Sequence, residues 1–176
     1  MLKTWEFECD CPICLDAKNT RKVLKKRNVL KAALNTSGLE AKVERLLTAT
    51  ESTYKLPSSK VPRLAIWIPY LHLMREYAVG NDLAKPAALV MKGLACLGFV
   101  IKGAHPHDSS GIPFEIVEWG VMTDYVVEAW IHLRTAYVAL APHLCQKAEE
   151  YARVAYKICT GEDVRKDREA TELPTD

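Results

Sequence analysis

Residues 126–161 read VVEAWIHLRTAYVALAPHLCQKAEEYARVAYKICTG. Val126, Trp130, Leu133, Tyr137 and Leu140 recur at three- and four-residue steps, the spacing that lines up one face of a helix. Leu144, Ala148, Tyr151, Ala152, Ala155 and Cys159 repeat the pattern. Pro142 stands between the two stripes, and proline suits the first turn of a helix because the N–H it lacks has no partner there. Gly161 follows the last periodic residue, where a helix commonly stops. Two apolar faces with almost no connection between them must fold back on each other. This predicts a helix hairpin.

The same punctuation extends upstream. Pro62 opens a predicted helix whose apolar face is Leu64, Trp67, Ile68, Leu71, Met74 and Ala78, with Pro69 inside it as an expected kink. Gly80-Asn81-Asp82 breaks it, and a partner helix is expected to run to about Lys102, carrying Leu89, Met91, Leu94, Leu97 and Val100. Residues 103–116, GAHPHDSSGIPFEI, read as a loop. Earlier, Ser37-Gly38-Leu39-Glu40 fits a capping box before a helix reaching about Tyr54, with Leu39, Val43, Leu46, Leu47 and Tyr54 on one face. From Asp16 to about Leu34 another helix is expected, with Lys18, Lys22, Lys25 and Lys26 as a basic stripe and Val23, Leu30 and Leu34 on a different face. No segment alternates with a period of two, so the expected class is all-α. Small residues (Gly80, Ala84, Ala87, Gly93, Ala95) near the expected crossings suggest a TPR-like antiparallel stack of helix pairs. The repeat of about 34 residues typical of such stacks is not clean, and a plain helix bundle is the alternative.

Composition narrows the class. The chain has 176 residues, 49% of them hydrophobic and 26% charged, enough for one globular domain with a sizeable core. A net charge of +2 argues against a protein that coats nucleic acid. Lys3, Trp5 and Glu6 follow Met1 where a signal peptide would need an apolar run, and no stretch reaches the roughly 18 apolar residues of a membrane span. The expectation is an intracellular protein of the nucleus or cytoplasm, with no membrane partner. In a reducing compartment clustered cysteines read as metal ligands before disulfides.

Such a cluster occurs near the start. Residues 5–14 read WEFECDCPIC and hold half of the six cysteines. C-x-C-x-x-C brings three sulfurs onto one tight turn, stiffened by Pro12, and zinc takes thiolates in a tetrahedron of four ligands. Cys9, Cys11 and Cys14 are therefore candidate zinc ligands, with the fourth to come from elsewhere; the alternative is three ordinary thiols. Cys96, Cys145 and Cys159 lie in predicted helices and read as small core residues. His105 and His107, with Asp108, read as a solvated loop rather than a weak metal site.

The run Trp5–Cys14 resembles the post-SET segment of SET-domain protein lysine methyltransferases of the SET-and-MYND type: an aromatic, a phenylalanine, then C-x-C-x-x-C, followed by a TPR-like helical domain. The helix ending R-E-Y-A-V-G-N-D, the later M-K-G-L, and the close L-C-Q-K-A-E-E-Y-A-R-V-A-Y-K-I-C-T-G-E are similar in character to that domain. The resemblance implies zinc at Cys9, Cys11 and Cys14, with the fourth ligand a cysteine of the SET core upstream of this chain. It implies that Phe7 packs on the adenine of S-adenosylmethionine and that Trp5 lines the cofactor and lysine-channel edge; both also fit a plain hydrophobic anchor for the cysteine turn. It implies residues 1–15 as the post-SET-like segment and 16–163 as the helical domain; residues 164–176, by their polar composition, read as a disordered tail.

No N-H-S-C-like motif, no G-E-E-L-x-x-x-Y-like motif and no glycine-rich cofactor loop occurs. No catalytic residue is assigned, and the chain alone is expected to be inactive. The expected role is the zinc-segment and substrate-groove portion of such an enzyme, with S-adenosylmethionine bound only together with a SET core. Expected partners are that core or a protein substrate such as a histone tail, with a homodimer as a further option for completing the metal site. Two alternatives stand beside it. One is a stand-alone TPR-like peptide-binding module. The other is nucleic-acid binding through residues 16–31, which hold seven Lys or Arg and one acid; a solvated face is the preferred reading there because no aromatics interleave the cations.

Overall fold

The computed structural model describes residues 8–19, 21–36, 40–79, 82–106 and 112–162. The described chain is mostly helical, with a cysteine cluster at the start of the first helix. In order come α1 (Pro12–Asn19), α2 (Arg21–Thr36), α3 (Glu40–Glu51), α4 (Leu64–Ala78), α5 (Ala84–Cys96), β1 (Val100–Lys102), β2 (Glu115–Glu118), α6 (Asp124–Leu140) and α7 (Pro142–Thr160). From α2 to α7 each helix packs on the next one in sequence, so the helices form a stack built from neighbours. The capping box at Ser37–Leu39 and the tail after Asp163 lie outside the described residues.

The closing hairpin matches its pattern. Val126, Trp130, Leu133 and Tyr137 are buried on α6, and Leu144, Ala148, Tyr151, Ala152 and Ala155 are buried on α7. Ala141 alone separates the two helices, Pro142 opens α7, and Gly161 ends it in the left-handed conformation at φ 73°. At the α4–α5 contact a Cβ built on Gly93 would meet Trp67 Cζ3 at 2.8 Å, so glycine there lets the two helices approach closely.

Three expectations are corrected. Helix α5 stops at Cys96 rather than near Lys102. Gly98, at φ 97°, turns the chain; its N–H donates to the Ala95 carbonyl and that of Phe99 to the Leu94 carbonyl, closing the helix in a Schellman pattern. The stretch 103–116 is accordingly not all loop: β2 pairs antiparallel with β1, Ile101 opposite Ile116. On α4 the buried face is Ile66, Trp67, Tyr70, Leu71, Leu73 and Met74, while Leu64 and Ile68 are exposed. That helix is apolar almost all round, so its spacing does not choose a face. Pro69, where a kink is expected, lies inside this helix.

The ribbon is held to the last hairpin by aromatic rings. Tyr151 packs on Trp130 at 5.1 Å and on Phe114 at 5.4 Å between ring centroids. Its hydroxyl accepts the Ile116 N–H and donates to the Phe114 carbonyl, and the Tyr137 hydroxyl donates to the Ala104 carbonyl. Two strands too short to stand alone are thereby fixed to the helical core.

Candidate metal centre

The three cysteines converge. The sulfurs of Cys9, Cys11 and Cys14 lie within 4.8 Å of one another, and all three residues are partly exposed. Among the described residues no fourth His, Cys, Asp or Glu joins them. The local cause is helix α1, which begins at Pro12, inside the motif, rather than at the expected Asp16. The Cys11 carbonyl accepts the Leu15 N–H and opens the helix, Pro12 takes its first position, and Cys14 falls in its first turn. A boundary between residues 15 and 16 therefore falls within a helix.

The site's electrostatics follow from that turn. The backbone N–H of Cys14, then the Cys9 side chain, hold the Cys11 thiol below its ordinary value. A helix start is a favourable place for a thiolate. Its neighbour moves the other way: hydrogen bonding to Cys9 and then to Cys11 pushes the Cys14 thiol up to about 11. Three sulfurs this close share protons, and a bound cation would replace those protons.

The donor set suits zinc. With Zn–S bonds near 2.3 Å a tetrahedron needs sulfurs about 3.8 Å apart, which is within the 4.8 Å that bounds the three sulfurs here. Thiolates in a small tetrahedral cluster are a soft-ligand set that selects zinc over calcium or magnesium. Three protein ligands leave one position to be filled.

Sequence reasoning did not find what holds this segment. Asp16, two residues beyond Cys14, is buried and ion-paired to buried Arg27 of α2, with Nη1 to Oδ2 at 2.5 Å and Nη2 to Oδ1 at 3.3 Å. Arg27 also donates from Nε to Thr53 Oγ1 at 2.9 Å and from Nη2 to the Thr53 carbonyl at 3.0 Å. Its guanidinium lies 3.6 Å from the Tyr54 ring centroid, and that of Arg63 lies 4.5 Å from it. Burial raises the Tyr54 phenol. The available signal was that Asp16 is the one acid between Asp10 and Glu40, set among seven cations.

The other candidates fall as follows. Trp5, Phe7 and His107 lie outside the described residues. His105 is exposed, at the rim of a cavity of about 570 Å³ lined also by Ala87, Met91, Ile101, Ala104 and Tyr137. Cys96 is buried, while Cys145 and Cys159 are half-buried. Lys18, Lys22, Lys25 and Lys26 are exposed as expected, whereas Arg27 leaves the basic face for the interior. No helix among the described residues is long and apolar enough to cross a membrane.

A curated protein of Gibberella zeae named "Methyltransferase" is 38% identical to this chain over 169 residues. The match takes in 92% of this chain and 23% of the relative, so the chain spans about a quarter of that protein's length. The chain is thus similar to part of a methyltransferase. No protein-family profile matches it, and no solved structure does.

Proposed function

We propose that this chain is the zinc-segment and substrate-groove portion of a SET-domain, S-adenosylmethionine-dependent protein lysine methyltransferase of the SET-and-MYND type. The observation that carries the reading is the juxtaposition of three converging thiols with a helical stack, in a chain similar over nearly its whole length to part of a methyltransferase. Cys9, Cys11 and Cys14 would hold zinc, and a cysteine of the SET core would take the fourth position. Zinc here is structural: it neutralises the thiolates and fastens the turn, and folding energy comes from its binding. Trp5 and Phe7, next to that turn in sequence, are proposed to line the cofactor site once the SET core is present. The helical domain, TPR-like in its pairing, would form one wall of the groove that seats a lysine-bearing segment such as a histone tail. Positioning of the amine against the methyl donor belongs to the core, where excluding water and fixing geometry supply the rate.

The test is a chimera. This chain replaces the matching stretch of the Gibberella zeae relative, and methyl transfer to protein substrates is measured with and without serine at the three cysteines. Activity that survives the exchange and falls with the serine variants supports the reading. An active chimera indifferent to all three cysteines removes the zinc segment from it.

A second reading has its own support. Val117, Trp119, Val121 and Tyr125 follow one another along the chain with exposed side chains, Trp119 at 43% and Tyr125 at 46%. Exposed aromatics of this kind suit a peptide-binding module. A peptide pull-down lost with Trp119→Ala, in the absence of any methyltransferase core, favours that reading.

A further inference from the structure

We propose that Asp16 and Arg27 are positioning residues for the metal centre, clamping the cysteine helix to the helical stack so that the thiols are held ready for the ion. The inference rests on the zinc reading above.

Helix α1 has almost nothing apolar to hold it. Ile13 is 56% exposed and Leu15 41% exposed, and of its described side chains Asp16 alone is buried. The attachment of the cysteine helix to the domain is therefore concentrated in one carboxylate. That carboxylate meets both terminal nitrogens of Arg27, whose remaining donors reach Thr53 at the end of α3. The guanidiniums of Arg27 and Arg63 both lie over the Tyr54 ring, a contact that restrains the Arg27 fork. An eight-residue helix is stiff, so fixing Asp16 fixes Cys14 half a turn away and the Cys11 turn that opens the helix. Residues that orient metal ligands without touching the ion change affinity by about 10–100-fold when altered. By reciprocity, ion binding at the sulfurs must tighten the clamp by the same factor.

The experiment titrates zinc(II) into the full chain against a chromophoric chelator, for the wild type, Asp16→Asn and Arg27→Lys, with far-UV circular dichroism on each. Asp16→Asn is expected to keep the wild-type stoichiometry while its zinc affinity falls about 10–100-fold. Arg27→Lys, which keeps the charge and loses the fork, is expected to lose less. A second measurement needs no variant: hydrogen exchange of the wild-type chain with and without zinc. Slowing at Thr53 and Tyr54 as well as in residues 9–15 supports the clamp. Slowing confined to residues 9–15, or wild-type affinity in folded Asp16→Asn, overturns it. Those outcomes leave the zinc reading standing, whereas a wild-type chain that takes up no zinc overturns both.

Discussion

The two ends of this molecule are held by opposite kinds of force. From α4 to α7 the hold is apolar and diffuse: Trp130, Leu133, Leu94 and Ile66 are wholly buried, and each fully buried leucine or isoleucine contributes about 1.5–3 kcal/mol. At α1 the hold is polar and concentrated, with exposed Ile13 and Leu15 and one buried aspartate. An apolar core tolerates small errors and binds nothing in particular. A buried ion pair contributes little net stability and demands one geometry. A segment that must present three sulfurs in register suits the second kind of hold.

Breaking the core should cost most. Trp130→Ala is expected to lower unfolding free energy by about 3–5 kcal/mol, read by denaturant titration, because the ring packs between Phe114 and Tyr151 with no exposed surface. Gly98→Ala should cost about 1–3 kcal/mol by the same measurement, since a Cβ at φ 97° is strained and would come within 3.1 Å of the Ser58 carbonyl. Tyr137→Phe removes the hydroxyl that donates to Ala104 and should cost about 1 kcal/mol. None of the three touches the cysteine segment, so a folded Tyr137→Phe chain should take up metal as the wild type does.

The smallest effect is at the surface. Glu128 is held below the usual carboxylate range by hydrogen bonds from Arg75, and Glu149 by those from Arg153 and then Arg134. A carboxylate with a lowered folded pKa stabilises fully above its unfolded value near 4.3, and that contribution is lost as pH falls through the folded value. Melting temperature should therefore hold steady from pH 7 to 5 and decline below about 4.3. Each of these solvent-screened pairs is worth under about 1 kcal/mol, and added salt should shrink the decline.

These contrasts also account for what was legible in the sequence. Helices α6 and α7 were, because Pro142 and Gly161 punctuate two clean stripes. The end of α5 was written as Gly98 followed by Val100 and Ile101, a turn residue before two β-branched ones, but the apolar spacing through Leu97 and Val100 masked it. The α4 face was not legible because nearly every face of that helix is apolar. The cysteine triad was legible, since three ligands within six residues need no tertiary information to meet. Its clamp was not: Asp16, Arg27 and Thr53 are 11 and 26 residues apart, and only the packing of α1, α2 and α3 brings them together.

The most direct test of the central claim is zinc K-edge X-ray absorption on the purified full chain, wild type and with serine at Cys9, Cys11 and Cys14. The expected wild-type result is one zinc per chain with three sulfur ligands near 2.3 Å and a lighter atom in the fourth place, all lost in the triple variant. Zinc coordinated only by nitrogen and oxygen, or retained without the three cysteines, would contradict it.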